Sequence, residues 1–313
     1  FNQELKAYLA LGGLINYESP VTKILFENSE VVGVLVKNKS IEADSVILAS
    51  GGFEANDELR KLYIGKDWGA AKVRGTPHNT GDGLMMALDI GAMKHGLYDG
   101  CHATPMDLYM KNYGGLDLEP SERKNYRKIC YFLGIMVNAE GKRFLDEGKN
   151  FRNYTYAQYG RKVLEQSGNF AWQIFDSKVF DLLYEEYRFH DAHFVEGTTL
   201  DDIISKLEGV DKNEVKTTIQ EYNDSVDTKI EFDPTILDGK STKGLEISKS
   251  NWAQKLDKGP FKAFPVTGGI TFTYGGLKVS ENGSVINIDN KPIKGLFACG
   301  ELIGGVFFNG YPG

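Results

Sequence analysis

The chain has 313 residues, of which 41% are hydrophobic and 25% are charged, and its formal net charge is -7. This composition excludes a disordered or collagen-like chain, and the length predicts about two domains. The acidic balance without a basic stripe argues against nucleic acid as a partner, and no apolar run approaches the roughly 18 residues of a membrane span, so we predict no membrane insertion.

The cysteines and the two ends of the chain bear on its location and its extent. Cys101, Cys130 and Cys299 are too few and too widely separated for a disulfide framework or a zinc site. No signal-peptide pattern is present, so we predict a reducing, cytoplasmic location and no bound metal. The chain starts with Phe1 inside a helical pattern and stops at Gly313 directly after a proline, and we expect it to be truncated at both ends.

The first 52 residues are predicted to form one helix followed by short strands. The helix is expected over residues 1–9, and a strand, a bend and a second strand over residues 14–26. Residues 31–36 and 41–44 flank a polar tetrapeptide and predict a hairpin. Residues 45–52 form a continuous apolar run that ends in small residues and a glycine pair. This pattern predicts a strand buried on both faces, with a bulky group near its carboxyl end.

The pattern changes further along the chain. Thr80-Gly81-Asp82-Gly83 precedes apolar residues at helical spacing and a closing glycine, which predicts a helix over residues 84–92. Beyond about residue 98 the sequence becomes aromatic and mixed in charge. Glycine and β-branched residues return from residue 268, so we predict that the chain returns there to its first domain. Helices are predicted near residues 161–165, 179–187, 200–207 and 212–226.

Each glycine-rich turn has an ordinary structural explanation when it is taken alone. The strand ending at Gly52 is explained equally well by close packing or by contact with a ligand. The turn at Thr80 is an ordinary helix cap or a phosphate site at a helix N-terminus. Glu301, after a buried strand, is suited to accept hydrogen bonds from a hydroxyl-rich ligand. The order of these motifs along the chain is what distinguishes between the explanations.

In this order, the motifs resemble the flavoprotein family of fumarate reductase and the succinate dehydrogenase flavoprotein subunit. Within that family, the segments that begin at Phe151, Thr267 and Tyr311 most resemble the tricarballylate dehydrogenases. The motifs shared with the family are Ala49-Ser50-Gly51-Gly52, Thr80-Gly81-Asp82-Gly83, His102-Ala103-Thr104, the segment from Asn138 to Glu147 followed by Arg152, and the segment from Gly295 to Glu301.

The resemblance implies an α/β fold and a set of site residues. The expected architecture is an incomplete Rossmann-like FAD-binding domain over residues 1–98 and 269–313, with an inserted α+β capping domain over residues 99–268. The implied cofactor is FAD, and the residues implied to hold it are Ala49, Ser50, Gly51, Gly52, Thr80, Gly81, Asp82, Gly300 and Glu301. The implied substrate-binding residues are His102, Thr271 and Tyr311, and Arg152 is implied as the proton-transfer residue.

Arg152 needs assistance in that role, because a free guanidinium has a pKa above about 12. Glu147 and Arg143 are the candidates for a proton relay. Without the motif, Arg152 would be interpreted as a surface arginine and His102 as a core histidine; Thr271 and Tyr311 are explained nearly as well by packing.

Departures from the family pattern modify the expected substrate. Fumarate reductases carry a histidine in the segment that here begins at Thr271, and an arginine where this chain has Tyr311. Fumarate itself is therefore disfavoured, and a related small polycarboxylate is expected. In addition, no Gly-x-Gly-x-x-Gly turn for the FAD pyrophosphate precedes the first helix.

The leading hypothesis is an FAD-dependent oxidoreductase that dehydrogenates a C–C bond of a tricarballylate-like acid or reduces the corresponding alkene. Its electron-transfer partner is not identified by the sequence. One alternative is a 3-ketosteroid-type dehydrogenase, which Tyr311 also resembles. Arg152 and His102 argue against it, because an apolar steroid offers them no carboxylate. Another alternative is a non-catalytic fragment of such an enzyme that cannot retain FAD, which the missing phosphate-binding turn suggests.

Overall fold

The computed structural model describes residues 2–114, 119, 123–308, 310 and 311. Phe1, Pro312 and Gly313, which belong to the predicted first helix and to the C-terminal motif, lie outside these residues. The described helices are α1 (Asn2–Ala10), α2 (Asp57–Tyr63), α3 (Asp82–Asp89), α4 (Arg152–Leu164), α5 (Leu200–Lys206) and α6 (Lys212–Ser225). The described strands are β1 (Val21–Glu27), β2 (Glu30–Val36), β3 (Lys39–Glu42), β4 (Val46–Leu48), β5 (Lys72–Val73), β6 (Lys94–His95), β7 (Cys101–Asp107), β8 (Ile135–Val137), β9 (Phe170–Asp176), β10 (Val195–Gly197), β11 (Phe261–Thr273), β12 (Gly276–Leu277), β13 (Ser284–Ile286) and β14 (Pro292–Ala298).

The first sheet combines strands from the two ends of the chain. β2 has antiparallel neighbours in β1 and β3, so the predicted hairpin is confirmed. β14 runs parallel to β2 and to β4 and antiparallel to β13. The C-terminal segment therefore lies beside the strands of the N-terminal segment, as the return of glycine and β-branched residues predicts.

The second sheet is built around β11, a strand of 13 residues. Its first half pairs with β10 and β9, and its second half pairs with β7 and, in parallel, with β5. In the register between β11 and β7, Phe272 lies opposite His102. This register fixes the positions of Thr271 and Thr273 at the end of the strand. β11 also runs across the predicted domain boundary at 268/269, and the division into domains stays a prediction.

Helices α5 and α6 pack against β8, β9 and β10. The predicted helices near residues 200–207 and 212–226 are confirmed. The apolar residues Val215, Ile219 and Tyr222 recur at helical spacing on α6 and are buried, and each such side chain contributes about 1.5–3 kcal/mol. The Asp211 side chain caps α6 by accepting hydrogen bonds from the first backbone amides. Across the described residues, the helices lack the combined length and apolar character that a membrane span requires.

Helix α4 starts at Arg152, well before the helix predicted near residues 161–165. Gly160 concealed the longer helix in the sequence, because glycine lowers helical propensity. In the fold, this glycine is a point of close approach: a Cβ at residue 160 would collide with the backbone of Ala103 and Thr104 on β7. The glycine therefore lets α4 pack directly on β7, which brings the first two turns of the helix towards His102.

Three other predictions are wrong. Of the two strands predicted over residues 14–26, only the second forms, as β1, because residues 14–20 lie in turns and irregular structure. β4 is not buried on both faces: Leu48 is buried, whereas Ile47 is 68% exposed because alternate side chains face opposite sides and the described residues cover only one. Residues 179–187 do not form an α-helix. They lie in two short 3-10 segments, Ser177–Leu182 and Glu185–Tyr187, separated by Leu183 in an extended conformation with ψ of 137°.

Candidate active site

A cavity of about 630 Å³ lies where the end of β11 meets the 3-10 turn at residues 300–302. Its wall contains four residues that the sequence assigns to two different roles: Gly300 and Glu301 for the cofactor, and Thr271 and Tyr311 for the substrate. The fold thus brings the two predicted parts of the site to one cavity.

Glu301 is held in place by the end of β11. Its Oε1 accepts hydrogen bonds from the Thr273 backbone N–H at 2.8 Å and from the Thr273 hydroxyl at 3.3 Å. Its Oε2 accepts a bond from the Asn79 side-chain amide at 3.4 Å. A Cβ at Gly52 would collide with both the Glu301 carboxylate and the Thr273 hydroxyl. Glycine at residue 52 leaves room for the carboxylate in this position, which accounts for the second glycine after β4.

The other predicted cofactor residues meet at the start of α3. Ala49 and Ser50 are exposed directly after β4, and the Ser50 hydroxyl packs so closely on Gly83 that a Cβ there would collide with it. Thr80 precedes Gly81, which caps α3 with a left-handed φ of 83° and provides no side-chain hydrogen bond. The first amides of α3, from Asp82 onward, therefore lie beside the end of β4, in an arrangement suited to an anionic group.

Gly51 lies in the same part of the site. It has a left-handed φ of 75° and packs on the Asn79 side chain.

Asn79 in turn binds Glu54, a cavity residue that the sequence analysis missed. The only sequence signal for Glu54 is its position two residues after the Gly51-Gly52 pair. Glu54 is 2% exposed, and its Oε2 has no hydrogen-bond partner within the described residues. Burial, followed by repulsion from Glu301, raises the pKa of the Glu54 carboxyl.

The raised pKa of Glu54 predicts how stability varies with pH. Between the ordinary carboxyl pKa of about 4.3 and the raised value, the folded protein binds a proton that the unfolded chain has released. Stability therefore falls as pH rises through this window. Denaturant unfolding of the apoprotein at several pH values should show this loss, and E54Q should remove it and gain about 1–3 kcal/mol at the upper end. The exposed α2 variant E58Q is the matched control, and equal pH profiles for E54Q and wild type would contradict this account.

His102, a predicted substrate residue, lies against the cavity wall among aromatic rings. Its ring centroid is 5.1 Å from those of Tyr156 and Phe272 and 5.0 Å from that of Tyr311. The side chain is buried, and Nδ1 has no hydrogen-bond partner among the described residues. Burial and then the charge of Arg74 lower the pKa of His102 to about 4, and Arg127 adds to this effect. Near neutral pH, His102 is therefore an uncharged imidazole that can donate one N–H.

Arg152 does not line the 630 Å³ cavity. It is the first residue of α4, its Nε donates a hydrogen bond to the Tyr184 hydroxyl at 2.6 Å, and its guanidinium lies 5.0 Å from the centre of the Tyr184 ring. It lines a separate cavity of about 150 Å³. The charge of Arg152 still acts on Tyr156, which packs on His102. Burial and then Tyr311 raise the pKa of Tyr156. The charges of Arg74, Arg127 and Arg152 oppose that rise.

The relay candidates Arg143 and Glu147 form a buried ion pair. Arg143 Nε donates to Glu147 Oε1 at 3.0 Å, and Nη1 donates to the Ile247 carbonyl at 2.6 Å. Glu147 Oε1 also accepts a bond from the Met136 amide. No hydrogen bond joins either residue to Arg152, all three being in the described part of the chain. The relay stays a prediction, and the geometry shows a pair that ties three segments of the chain together.

Two six-stranded sheets, a helix that starts beside the glycine pair after β4, and an acidic side chain after β14 are features of a nucleotide-cofactor protein of the α/β class. Residues 5–313 match the model described as FAD binding domain, and the chain belongs to this family. The structure fits the group, since Gly300 and Glu301 line the cavity and the buried Glu54 Oε2, on the same cavity, lacks a partner within the described residues. FAD is therefore the cofactor.

The chain is similar to several characterised oxidoreductases. It is 30% identical to the fumarate reductase (cytochrome) of Shewanella frigidimarina over 90% of this chain and 45% of that protein. It is 27% identical to the 3-oxosteroid 1-dehydrogenase of Mycolicibacterium smegmatis over 94% of this chain and 54% of that protein. The open conformation of a flavocytochrome c3 fumarate reductase superposes with a TM-score of 0.71 at 27% identity, covering 97% of this chain and 50% of the other. The chain thus spans about half the length of these relatives.

Proposed function

We propose that the chain is part of an FAD-dependent oxidoreductase that acts on a C–C bond of a small polycarboxylate, dehydrogenating a tricarballylate-like acid or reducing the corresponding alkene. The observation that carries this proposal is the shared cavity, which is lined by Glu301 and Gly300 and also by Thr271 and Tyr311. A cofactor and a substrate held by these two sets of residues are neighbours. The similarity to a fumarate reductase supports the same class of reaction.

The roles proposed for the residues follow from their chemistry. Bound FAD supplies a two-electron carrier for hydride transfer. Thr271 and Tyr311 offer hydroxyl groups to substrate oxygens, and neutral His102 offers one ring N–H. Arg152 is the proposed proton-transfer residue. In this role its guanidinium donates the proton to a carbanion formed beside a carboxylate, with the assistance that the relay candidates would provide. The reaction direction and the electron-transfer partner are outside the proposal.

The charge of this region favours an acid over a ketone as substrate. Three arginines act electrostatically on Tyr156, which itself packs on His102. A steroid ketone leaves such charges uncompensated, whereas a carboxylate pairs with them. The aromatic part of the cavity wall, Phe272, Tyr274 and Phe307, is the feature that a steroid would use instead. The two functions therefore call on different groups: the arginine charges near Tyr156 for an acid, and the aromatic part of the cavity wall for a steroid.

A substrate panel tests the proposed function. The FAD-loaded protein should reduce an artificial electron acceptor with tricarballylate or succinate, or oxidise a reduced dye with an unsaturated dicarboxylate. A 3-ketosteroid should be turned over at least about tenfold less efficiently in kcat/KM, since one charge-assisted contact contributes about that factor. Turnover of the steroid without turnover of any acid would overturn the proposal in favour of the ketosteroid-type activity.

A further inference from the structure

We propose that Arg74 binds a carboxylate group of the substrate, and that Arg74 and Arg127 together set a preference for acids with more than one carboxylate. The inference rests on the proposed function and adds to it two residues that no sequence motif assigned. These two residues are called the arginine pair below. Arg74 follows β5, and Arg127 forms an isolated bridge with Met106 of β7.

Arg74 lies at the edge of the 630 Å³ cavity. Its backbone N–H donates to the Ile270 carbonyl at 2.8 Å, which fastens this residue to β11. Its Nη1 donates to the Thr271 hydroxyl at 3.4 Å, and Thr271 lines the cavity, as do Gly75 and Thr76 next to Arg74 in the chain. Its guanidinium is therefore one contact away from the space in which the substrate is proposed to bind.

Arg74 forms no ion pair within the described residues, although its side chain is partly buried. Burial and then repulsion from Arg127 lower its pKa, and the charge of Glu186 opposes this effect only weakly. A partly desolvated guanidinium without an ion-pair partner is unfavourable in a protein that has no use for it. A ligand carboxylate would supply the missing charge and two hydrogen-bond acceptors in a matching plane.

Arg127 is only partly compensated. Its Nε and Nη2 both donate to one oxygen of Glu186, at 3.2 and 2.7 Å. Glu186 is buried and is also the carboxylate whose charge acts on Arg74. One carboxylate thus serves two guanidinium groups. The charges of both arginines also act on His102, because both lower the pKa of that ring.

The orphaned Nδ1 of His102 is a second, independent sign of a ligand. This nitrogen is buried without a hydrogen-bond partner within the described residues, while Phe272 and Tyr311 of the cavity wall pack on the same ring. A buried polar atom of this kind is normally satisfied. A polycarboxylate that reaches both the arginine pair and this ring satisfies the charge and the hydrogen bond together, which a monocarboxylate cannot do as completely.

The test compares acids with three, two and one carboxylates. The FAD-loaded protein is titrated with tricarballylate, succinate and butyrate, and binding is followed by the change in flavin absorbance. R74Q should weaken tricarballylate binding by about 10- to 100-fold, as expected for one charge-assisted contact, and butyrate binding by much less. The double variant R127Q/E186Q removes both members of the ion pair. It should also weaken tricarballylate binding more than butyrate binding, as R74Q does. R74K keeps the charge without the planar fork and should lie between wild type and R74Q.

The controls separate the inference from the proposed function. R188Q makes the same change at an exposed arginine and should leave all three affinities within about twofold. Equal weakening of all three acids by R74Q, or unchanged tricarballylate binding, would overturn the inference while leaving the proposed function in place. Wild-type protein that binds none of the acids would instead remove the proposed function itself. Should R74Q not fold, R74K carries the same comparison.

Discussion

Replacing Arg152 with alanine is expected to lower kcat for the acid substrate by about 10²- to 10⁴-fold while FAD stays bound. The loss is expected because the side chain proposed to hold the transferred proton is removed, whereas no predicted cofactor residue touches it in the structure. Steady-state kinetics and the flavin absorbance of the purified R152A variant measure the two effects separately. Unchanged turnover would remove Arg152 from the mechanism.

Two further variants distinguish proton transfer from positioning. R152K retains a positive charge but carries an ammonium with a pKa near 10.4, so part of the rate and a changed pH profile are expected. Y184F removes the hydroxyl that accepts the 2.6 Å hydrogen bond from Arg152 Nε. Its loss should be smaller than that of R152A, because the guanidinium remains. A loss in Y184F as large as that in R152A would show that orientation by Tyr184 accounts for the whole effect.

The sequence assigns the cofactor residues through the resemblance of their motifs to a family, and that assignment stays a prediction. The structure explains two of the glycines in different ways. Gly52 makes room for Glu301 from the far end of the chain, whereas Gly81 has a local reason, because it takes a left-handed φ at the start of α3. Helices α5 and α6 were predictable for a similar reason, since Thr199 and Asp211 cap them immediately before apolar residues at helical spacing.

Arg74 and Glu54 could not be predicted, because what gives them meaning lies far away in the chain. Arg74 meets Thr271 across 197 residues, and Asn79, which binds Glu54, meets Glu301 across 222 residues. An arginine after a two-residue strand has no local pattern. Only the pairing of β5 with β11 brings it to the cavity. The position of Arg152 at Tyr184, away from the main cavity wall, likewise depends on where α4 starts.

Replacing Glu147 with alanine is expected to lower the free energy of unfolding by about 3–5 kcal/mol, the typical cost of breaking a buried ion pair. Arg143 would lose the partner of two of its hydrogen bonds, and the Met136 amide would lose its acceptor. Lys249 is fully buried nearby. Burial lowers the pKa of Lys249, to about 8, although the charge of Glu147 opposes this effect. E147A would remove that opposing charge. Urea unfolding of E147A measures the loss, and E165A, at the surface pair with Lys162, is the control at about 0–1 kcal/mol.

E147Q distinguishes a proton relay from a structural pair. Glutamine keeps an acceptor for the Met136 amide but cannot carry a proton, so a relay through Glu147 predicts a fall in kcat larger than the loss of stability explains. A structural pair predicts reduced stability with kcat nearly unchanged, because Arg143 and Glu147 make no hydrogen bond to Arg152. Replacing both members by apolar residues of similar volume sharpens the distinction. Such replacement is often neutral for stability. An inactive but stable double variant would therefore establish the relay. An active double variant would leave Arg152 to act with Tyr184 alone.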